Sequence, residues 1–414
     1  MKAYTYYTGT HEQLLNDWLR ESLPAELELV PIEGKQECPS GTYHQAGWNQ
    51  CMLNKVKLCL RAIDETFGDA FIHLDTDIQF FGPVRDTILT QLETFDFVAQ
   101  DDSAANRKEP VLCGGFFACR SNRKTRSFWE QVLEIMLGNP SMDDQVALNR
   151  IAKNSQLRFT TLPRDRFWSP RRPWKPGRPI HPPRNILMHH ANWTEGINNK
   201  IDQLKSVQVI VESANNAVYL GTDYGGYYFL PDNLSPQSVV YSFGVGEDAS
   251  FEKELTNRIN CQVHCFDPTP RSIEWAKEHL GSDPRVKFFP IGVNSEAGSM
   301  KLFFPKRKDY VSCSIVPISN QEITVEAKRL CDIQRELNDS HIDLIKLDIE
   351  GAEHSVIDDM IECEIFPKQI IVEFHDRITG RKLTQETIAK LFRHGYLLFK
   401  QNGSDHSFVR YEDR

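Results

Sequence analysis

The 414-residue sequence has no apolar run of the about twenty residues that a membrane-spanning helix requires. Its first residues, Met1 to Leu15, are polar and aromatic and lack the apolar core of a secretory signal, so the expectation is a soluble, cytoplasmic protein. The ten cysteines include no CxxC pair, which argues against the common zinc-ribbon and dithiol redox motifs and fits free thiols in a reducing compartment. Positive charge is in deficit as well. The formal net charge is −9, which argues against nucleic acid as a partner and requires any bound anion to be held by local groups. No internal repeat is visible.

What remains is ordinary globular material, 40% hydrophobic and 25% charged, and long enough for two domains that each bury a core. In the first half, short β-like runs alternate with helical ones: Ala3–Tyr7, a helix around Glu12–Arg20, Leu27–Ile32, a helix from Asn49 to Thr66, then Ala70–Leu74. Leu162–Arg184 is rich in proline, arginine and tryptophan and reads as a loop, either solvated or able to close over a diphosphate with arginine forks and a stacking ring. The Ser-, Asn-, Gly- and Tyr-rich stretch before Tyr228 separates the two halves, which predicts domains at 1–212 and 227–414 with a linker at 213–226. The second half predicts strands at Val239–Phe243, Gln262–Phe266, Val286–Phe289, Leu344–Leu347 and Gln369–Phe374, alternating with helices. Such alternation gives a doubly wound parallel sheet, to which a closing hairpin at Gly403-Ser404 adds an antiparallel strand.

Phe71–Leu74 runs into Asp75-Thr76-Asp77, and Gly82-Pro83 follows as a breaker. Residues i and i+2 of an extended chain point to one side, so both carboxylates can meet one divalent cation that keeps positions open for a diphosphate. Asp143 and Asp144 precede the apolar helix Val146–Ile151, where one of them can act as a cap. Gly114-Gly115 either lets a backbone approach a ligand or makes a tight turn. With Cys113-Gly114-Gly115-Phe116-Phe117, Met142-Asp143-Asp144-Gln145 and His189-His190-Ala191-Asn192-Trp193, this half resembles the GT-A glycosyltransferases over about its first 210 residues. The resemblance implies a nucleotide-sugar-binding domain, a nucleoside-diphosphate-sugar donor and a catalytic place for Asp144 beside the reacting sugar, where a carboxylate takes the acceptor proton or stabilises positive character on the sugar. It also implies Mn²⁺, or Mg²⁺, held by Asp77 and Asp75 with His189 or His190. Of the histidines, His190 is the chosen ligand and its neighbour is expected to pack inward, while imidazole favours Mn²⁺ over Mg²⁺. The same resemblance implies that Lys200 contacts the donor β-phosphate, whereas its residue type alone reads as a solvated surface lysine.

In the second half, Phe243-Gly244-Val245-Gly246 follows a strand and opens a helix, and Asp267 ends the next strand, placed to accept from ribose hydroxyls. An adenosyl and a nicotinamide cofactor fit these residues equally. Lys346-Leu347-Asp348-Ile349-Glu350-Gly351-Ala352-Glu353, with Glu373-Phe374-His375, resembles the FkbM-type methyltransferases over about Val239–Tyr411. That similarity implies a class I Rossmann-like fold and S-adenosyl-L-methionine. Lys346, Asp348, Glu373 and His375 are expected to converge, His375 as the base for a hydroxyl and Asp348 and Glu350 orienting substrate or a metal, or else to form an ion-paired sheet rim. One departure is Ser242, where many methyltransferases carry an acid; Glu247 or Asp248 is expected to compensate in part. The joint expectation is an α/β enzyme that transfers a sugar to a glycan acceptor and then O-methylates it. The pairing is also similar to algal-virus rhamnosyltransferase–methyltransferase proteins, which implies a UDP-L-rhamnose donor. Two alternatives stay open, a nucleotide-sugar oxidoreductase using NAD and a non-catalytic carbohydrate-binding scaffold, and so does the oligomeric state.

Overall fold

The computed structural model describes residues 1–39, 45–281, 283–305 and 312–411. The chain divides into two compact units, residues 1–176 with 180–208, and residues 177–179 with 209–414.

The first unit is built on a six-stranded mixed sheet in the order Glu28–Glu33, Lys2–Tyr7, Ala70–Leu74, Leu112–Arg120, Phe97–Asp101, Phe159–Thr161. Strand periodicity divides its side chains cleanly. Phe71 and Phe117 join the core under helix Trp48–Glu65, while Ile72, Leu74 and Phe116 join the core on the opposite face. That helix buries Val56, Cys59, Ala62 and Ile63 at the 3–4 residue spacing of an amphipathic face. Phe97, Phe117 and Trp129 pack ring to ring there with centroids 5.0 to 6.2 Å apart, and each fully buried aromatic stabilises the unit by about 1.5–3 kcal/mol. A second, three-stranded sheet sets Met188–His190 between Ile78–Phe80 and Phe167–Trp168.

Two expectations for this unit change. Gly114 and Gly115 lie inside strand Leu112–Arg120, so they form no tight turn. In the proline-rich stretch, Arg164 pairs with Asp101, Arg171 donates to the Ser103 and Ala104 carbonyls, Trp174 is buried and Trp168 lies against His189. Arg164, Arg171, Trp168 and Trp174 thus make contacts within the unit, Arg164 because a guanidinium near a buried carboxylate gains more from pairing than from solvent.

The second unit has a seven-stranded sheet in the order Val286–Phe289, Gln262–Phe266, Val239–Phe243, Leu344–Leu347, Gln369–Glu373, Asp405–Arg410, Tyr396–Asn402. The first five strands are parallel, and Asp405–Arg410 enters antiparallel between Gln369–Glu373 and the edge strand. Strand order reverses between Val239–Phe243 and Leu344–Leu347, the crevice where open α/β sheets take ligands. The excursion before residue 330 is a three-stranded sheet of Gly292–Val293, Glu322–Lys328 and Gly298–Phe303.

The segment read as a linker is ordered in a specific way. Helix Ile197–Asn216 runs through its start, and Val218–Leu220 pairs antiparallel with Tyr227–Phe229. Tyr227 and Phe229 belong to the core of the second unit, so the hydrophobic spacing of that hairpin outweighed its glycines. Among the described residues no helix is long and apolar enough to cross a membrane.

Candidate active sites

In the first unit, strand Ala70–Leu74 delivers Asp75 and Asp77 past its carboxyl end. The antiparallel register continues into a hydrogen bond from Asp75 N to Gly115 O of 2.7 Å. A Cβ on Gly115 would lie 2.4 Å from Asp75 Oδ2 and 2.5 Å from His190 Cε1, so glycine is what lets those two side chains approach. Pairing of Ile78 with His190 then brings a histidine from 113 residues downstream against Asp77 (190 − 77 = 113). His190 Nε2 is 3.3 Å from Asp77 Oδ1 and 4.0 Å from Asp75 Oδ2, and its Nδ1 lies 2.8 Å from Gln100 Oε1. His189 faces the other way, packed on Trp168 with Gln79 and Gln203 each 3.0 Å from a ring nitrogen.

Two lysines balance these acids. Lys55 is buried and lies 3.2 Å from Asp75 Oδ1 and 2.8 Å from Asp144 Oδ2. Lys200 lies 2.5 Å from Asp77 Oδ2 with its side chain mostly covered, so the surface-lysine alternative does not hold. Burial works to raise both aspartates, but Lys55 pulls Asp75, and Lys200 with His190 pulls Asp77, below the usual carboxylate range. Burial alone would lower His190; the Asp77 charge reverses this and pushes it up to about 10, whereas burial holds His189 down at about 3. Asp143 is the helix N-cap, accepting from Val146 N at 2.6 Å, and this frees Asp144 to meet Lys55.

Lys55, Gln100 and Asp102 are site residues that the sequence reading missed. Lys55 had a signal: with Cys59 and Ala62 it occupies the buried stripe of its helix, an unusual place for a lysine without a partner. Asp102 accepts from Gln145, Asn192 and Trp193 and is pushed up by burial, tying together two motif segments.

In the second unit the glycine turn is sterically required. Gly244 has φ +78°, and a Cβ there would fall 1.7 Å from the Asp348 carbonyl oxygen. Gly246 N donates to Asp267 Oδ2 at 2.9 Å, while Asp267 Oδ1 accepts from Thr269 N and Oγ1. The acid missing at position 242 comes from the following helix: Ser242 Oγ donates to buried Glu252 at 2.5 Å. Glu247 instead pairs with Arg271 and Asp248 with Thr222, so neither takes the expected compensating role.

Asp348, Glu350 and His375 bring ligand-capable atoms within 4.8 Å of one another. His375 Nδ1 is 2.7 Å from Glu353 Oε1, and its Nε2 is 3.3 Å from Glu350 Oε2 and 3.9 Å from Asp348 Oδ1. Tyr227 donates to Asp348 Oδ2 at 2.9 Å. Lys346 and Glu373 both feel the Asp348 charge while bonding to other partners. Lys346 donates to the Gly244 carbonyl and lies 3.7 Å from Glu252, and Glu373 accepts from Ser404. Burial disfavours a charged His375, but Glu350 and Glu353 overcome it and push the imidazole up to about 11. Burial and the Asp348 charge raise Glu373 to about 7 and Asp405 to about 6.

Residues 32–204 match the nucleotide-diphospho-sugar transferase family, and residues 213–398 match the methyltransferase FkbM domain. A 159-residue stretch is 28% identical to the 2-O-methyltransferase NoeI of Sinorhizobium fredii, covering 34% of this chain and 65% of that protein. A 168-residue stretch is 26% identical to the protein named Probable methyltransferase-like protein 24 of Rattus norvegicus, covering 40% of each. The chain thus spans less than two thirds of the length of either relative. Among solved structures, a glycosyltransferase involved in glycosylation of the major capsid of PBCV-1 aligns with 50% of this chain and 98% of its own, at 8% identity and a TM-score of 0.36.

Proposed function

Because the chain joins a nucleotide-diphospho-sugar transferase domain to an FkbM methyltransferase domain, we propose that it extends a glycan by one sugar and then O-methylates the product. The observation that carries this reading is the coincidence of each family match with an acid-and-histidine cluster just past the strands of its own sheet.

On the donor side, buried His190 Nε2 has no hydrogen-bond partner among the described residues and faces two carboxylates, which fits a divalent cation better than an empty space. Asp75, Asp77 and His190 would hold it, Mn²⁺ suiting a mixed oxygen and nitrogen set, and when bound it would neutralise the charge of the donor diphosphate. Lys200 adds local positive charge beside Asp77. Lys55 fixes Asp144, which is proposed to stabilise positive character on the transferred sugar.

In the second unit, Gly244 and Gly246 let the backbone approach S-adenosyl-L-methionine, with Asp267 holding the turn and accepting from the ribose. The cofactor supplies an electrophilic methyl group. Asp348 and Glu350 orient the acceptor hydroxyl with His375 beside them, and this cluster takes the hydroxyl proton as the methyl group passes from sulfur to oxygen. The name of the 2-O-methyltransferase relative supports an oxygen acceptor. UDP-L-rhamnose is the proposed donor, on the similarity to algal-virus rhamnosyltransferase–methyltransferase proteins.

The test is incubation of the protein with a panel of nucleotide sugars including UDP-L-rhamnose, Mn²⁺, glycan acceptors and S-adenosyl-L-methionine, followed by mass spectrometry. Addition of one sugar and then one methyl mass supports the reading. Methylation that proceeds equally fast on an unglycosylated acceptor rejects the order of steps, and no donor turnover with any sugar rejects the transferase assignment.

A further inference from the structure

Beyond the donor-side cation, we propose that the methyltransferase unit has its own divalent-cation site, formed by Asp348, Glu350 and His375. The three come from two segments of the chain. Asp348 follows strand Leu344–Leu347, Glu350 sits in the next turn with φ +50°, and His375 follows strand Gln369–Glu373.

The orientation of the histidine carries the argument. Its Nδ1 is 2.7 Å from Oε1 of Glu353, a carboxylate with no exposed surface that also accepts from Gly351 N. A carboxylate has no proton to give, so Nδ1 bears the hydrogen and Nε2 is left to face Glu350 and Asp348. A bare nitrogen lone pair facing two carboxylate oxygens is repulsive, and only a proton or a cation between them removes the conflict. The spacing suits a cation. Neighbouring ligands about 2.2 Å from a six-coordinate metal lie about 3.1 Å apart, and the Nε2 contacts here are 3.3 Å and 3.9 Å.

The supporting contacts are those of a built metal site. A ligating histidine characteristically donates its other N–H to a carboxylate, as His375 does to Glu353, and a ligating carboxylate is itself hydrogen-bonded, as Asp348 is by Tyr227. The second oxygen of Glu353 is buried without a partner among the described residues, which adds uncompensated negative potential behind the histidine. Two carboxylates and one imidazole select a cation of the manganese class, able to take oxygen and nitrogen together. Three protein ligands leave positions for oxygens of an acceptor sugar.

The probe is Mn²⁺ alone, titrated into chelator-treated full-length protein, with free Mn²⁺ counted by electron paramagnetic resonance. Two equivalents are expected to bind. Asp77→Asn should remove the donor-side equivalent and keep the other, whereas Glu350→Gln should weaken the remaining one at least tenfold while far-ultraviolet circular dichroism stays unchanged. Loss of all Mn²⁺ binding in Asp77→Asn overturns the proposal without touching the donor-side reading; one equivalent that survives Asp77→Asn and disappears in Asp348→Asn supports it, even if Glu350→Gln fails to fold. Binding that is identical in the wild type and in Glu350→Gln and Asp348→Asn overturns it, leaving a proton in the cation's place.

Discussion

Each unit places two acids at positions i and i+2 past the end of a β-strand and meets them with a histidine from a distant segment, yet the two clusters balance charge differently. In the first, each carboxylate has a lysine: Lys55 for Asp75 and Lys200 for Asp77. In the second, Asp348 and Glu350 have His375 and the hydroxyl of Tyr227, while Lys346 is turned to Glu252 and the Gly244 carbonyl. A lysine-paired acid is stable buried and waits for a charged donor. A histidine-paired acid depends on what occupies the histidine.

The largest effect that can break this comparison is in the first cluster. Asp77→Asn should lower Mn²⁺-dependent sugar transfer by at least about a hundredfold, since it removes a charge that a metal site needs, and should leave the dissociation constant of S-adenosyl-L-methionine unchanged. Coupled loss of both activities would show that the clusters do not act separately. Next comes Lys55→Met, which leaves Asp75 and Asp144 buried without their shared cation. A cost of about 3–5 kcal/mol in the first unit is expected, read as an earlier denaturant midpoint for that unit's transition alone. An unchanged midpoint would mean that the pair ionises differently without the lysine.

Gly244→Ala sharpens the comparison on the other side. Its added methyl collides with the Asp348 carbonyl at a left-handed backbone position, so methyl transfer should be lost while sugar transfer persists. Asp267→Ala should raise the S-adenosyl-L-methionine dissociation constant by about tenfold, the equivalent of about 1.4 kcal/mol, and Asp267→Asn by less because it keeps an acceptor oxygen. Isothermal calorimetry of both variants checks the ordering. The smallest effect concerns separability: fragments 1–216 and 217–414, which keep helix Ile197–Asn216 and the hairpin Val218–Phe229 whole, should each melt cooperatively. A fragment that melts without cooperativity would reject independent folding.

By itself the sequence determined what is local. Alternating β- and helix-type periods specify the α/β class, because burial of one face forces a period of two or near 3.6. The i, i+2 spacing of Asp75 and Asp77 was equally legible, as were the motif residues Asp348 and Glu350 and the glycines Gly244 and Gly246. What no window of residues contains is which distant element pairs with which. The register of Ile78 with His190 chooses the histidine, and the packing of helix Trp48–Glu65 brings Lys55 to Asp75 and Asp144. The fold likewise places Glu252 against Ser242 and Glu353 behind His375, two buried acids whose roles depend on the helices that carry them. Charge states belong to this second class as well. His375 was legible as a candidate from its residue type, but the three carboxylates that set its charge state are brought to it by the fold, because electrostatics acts through space and sequence distance does not enter it.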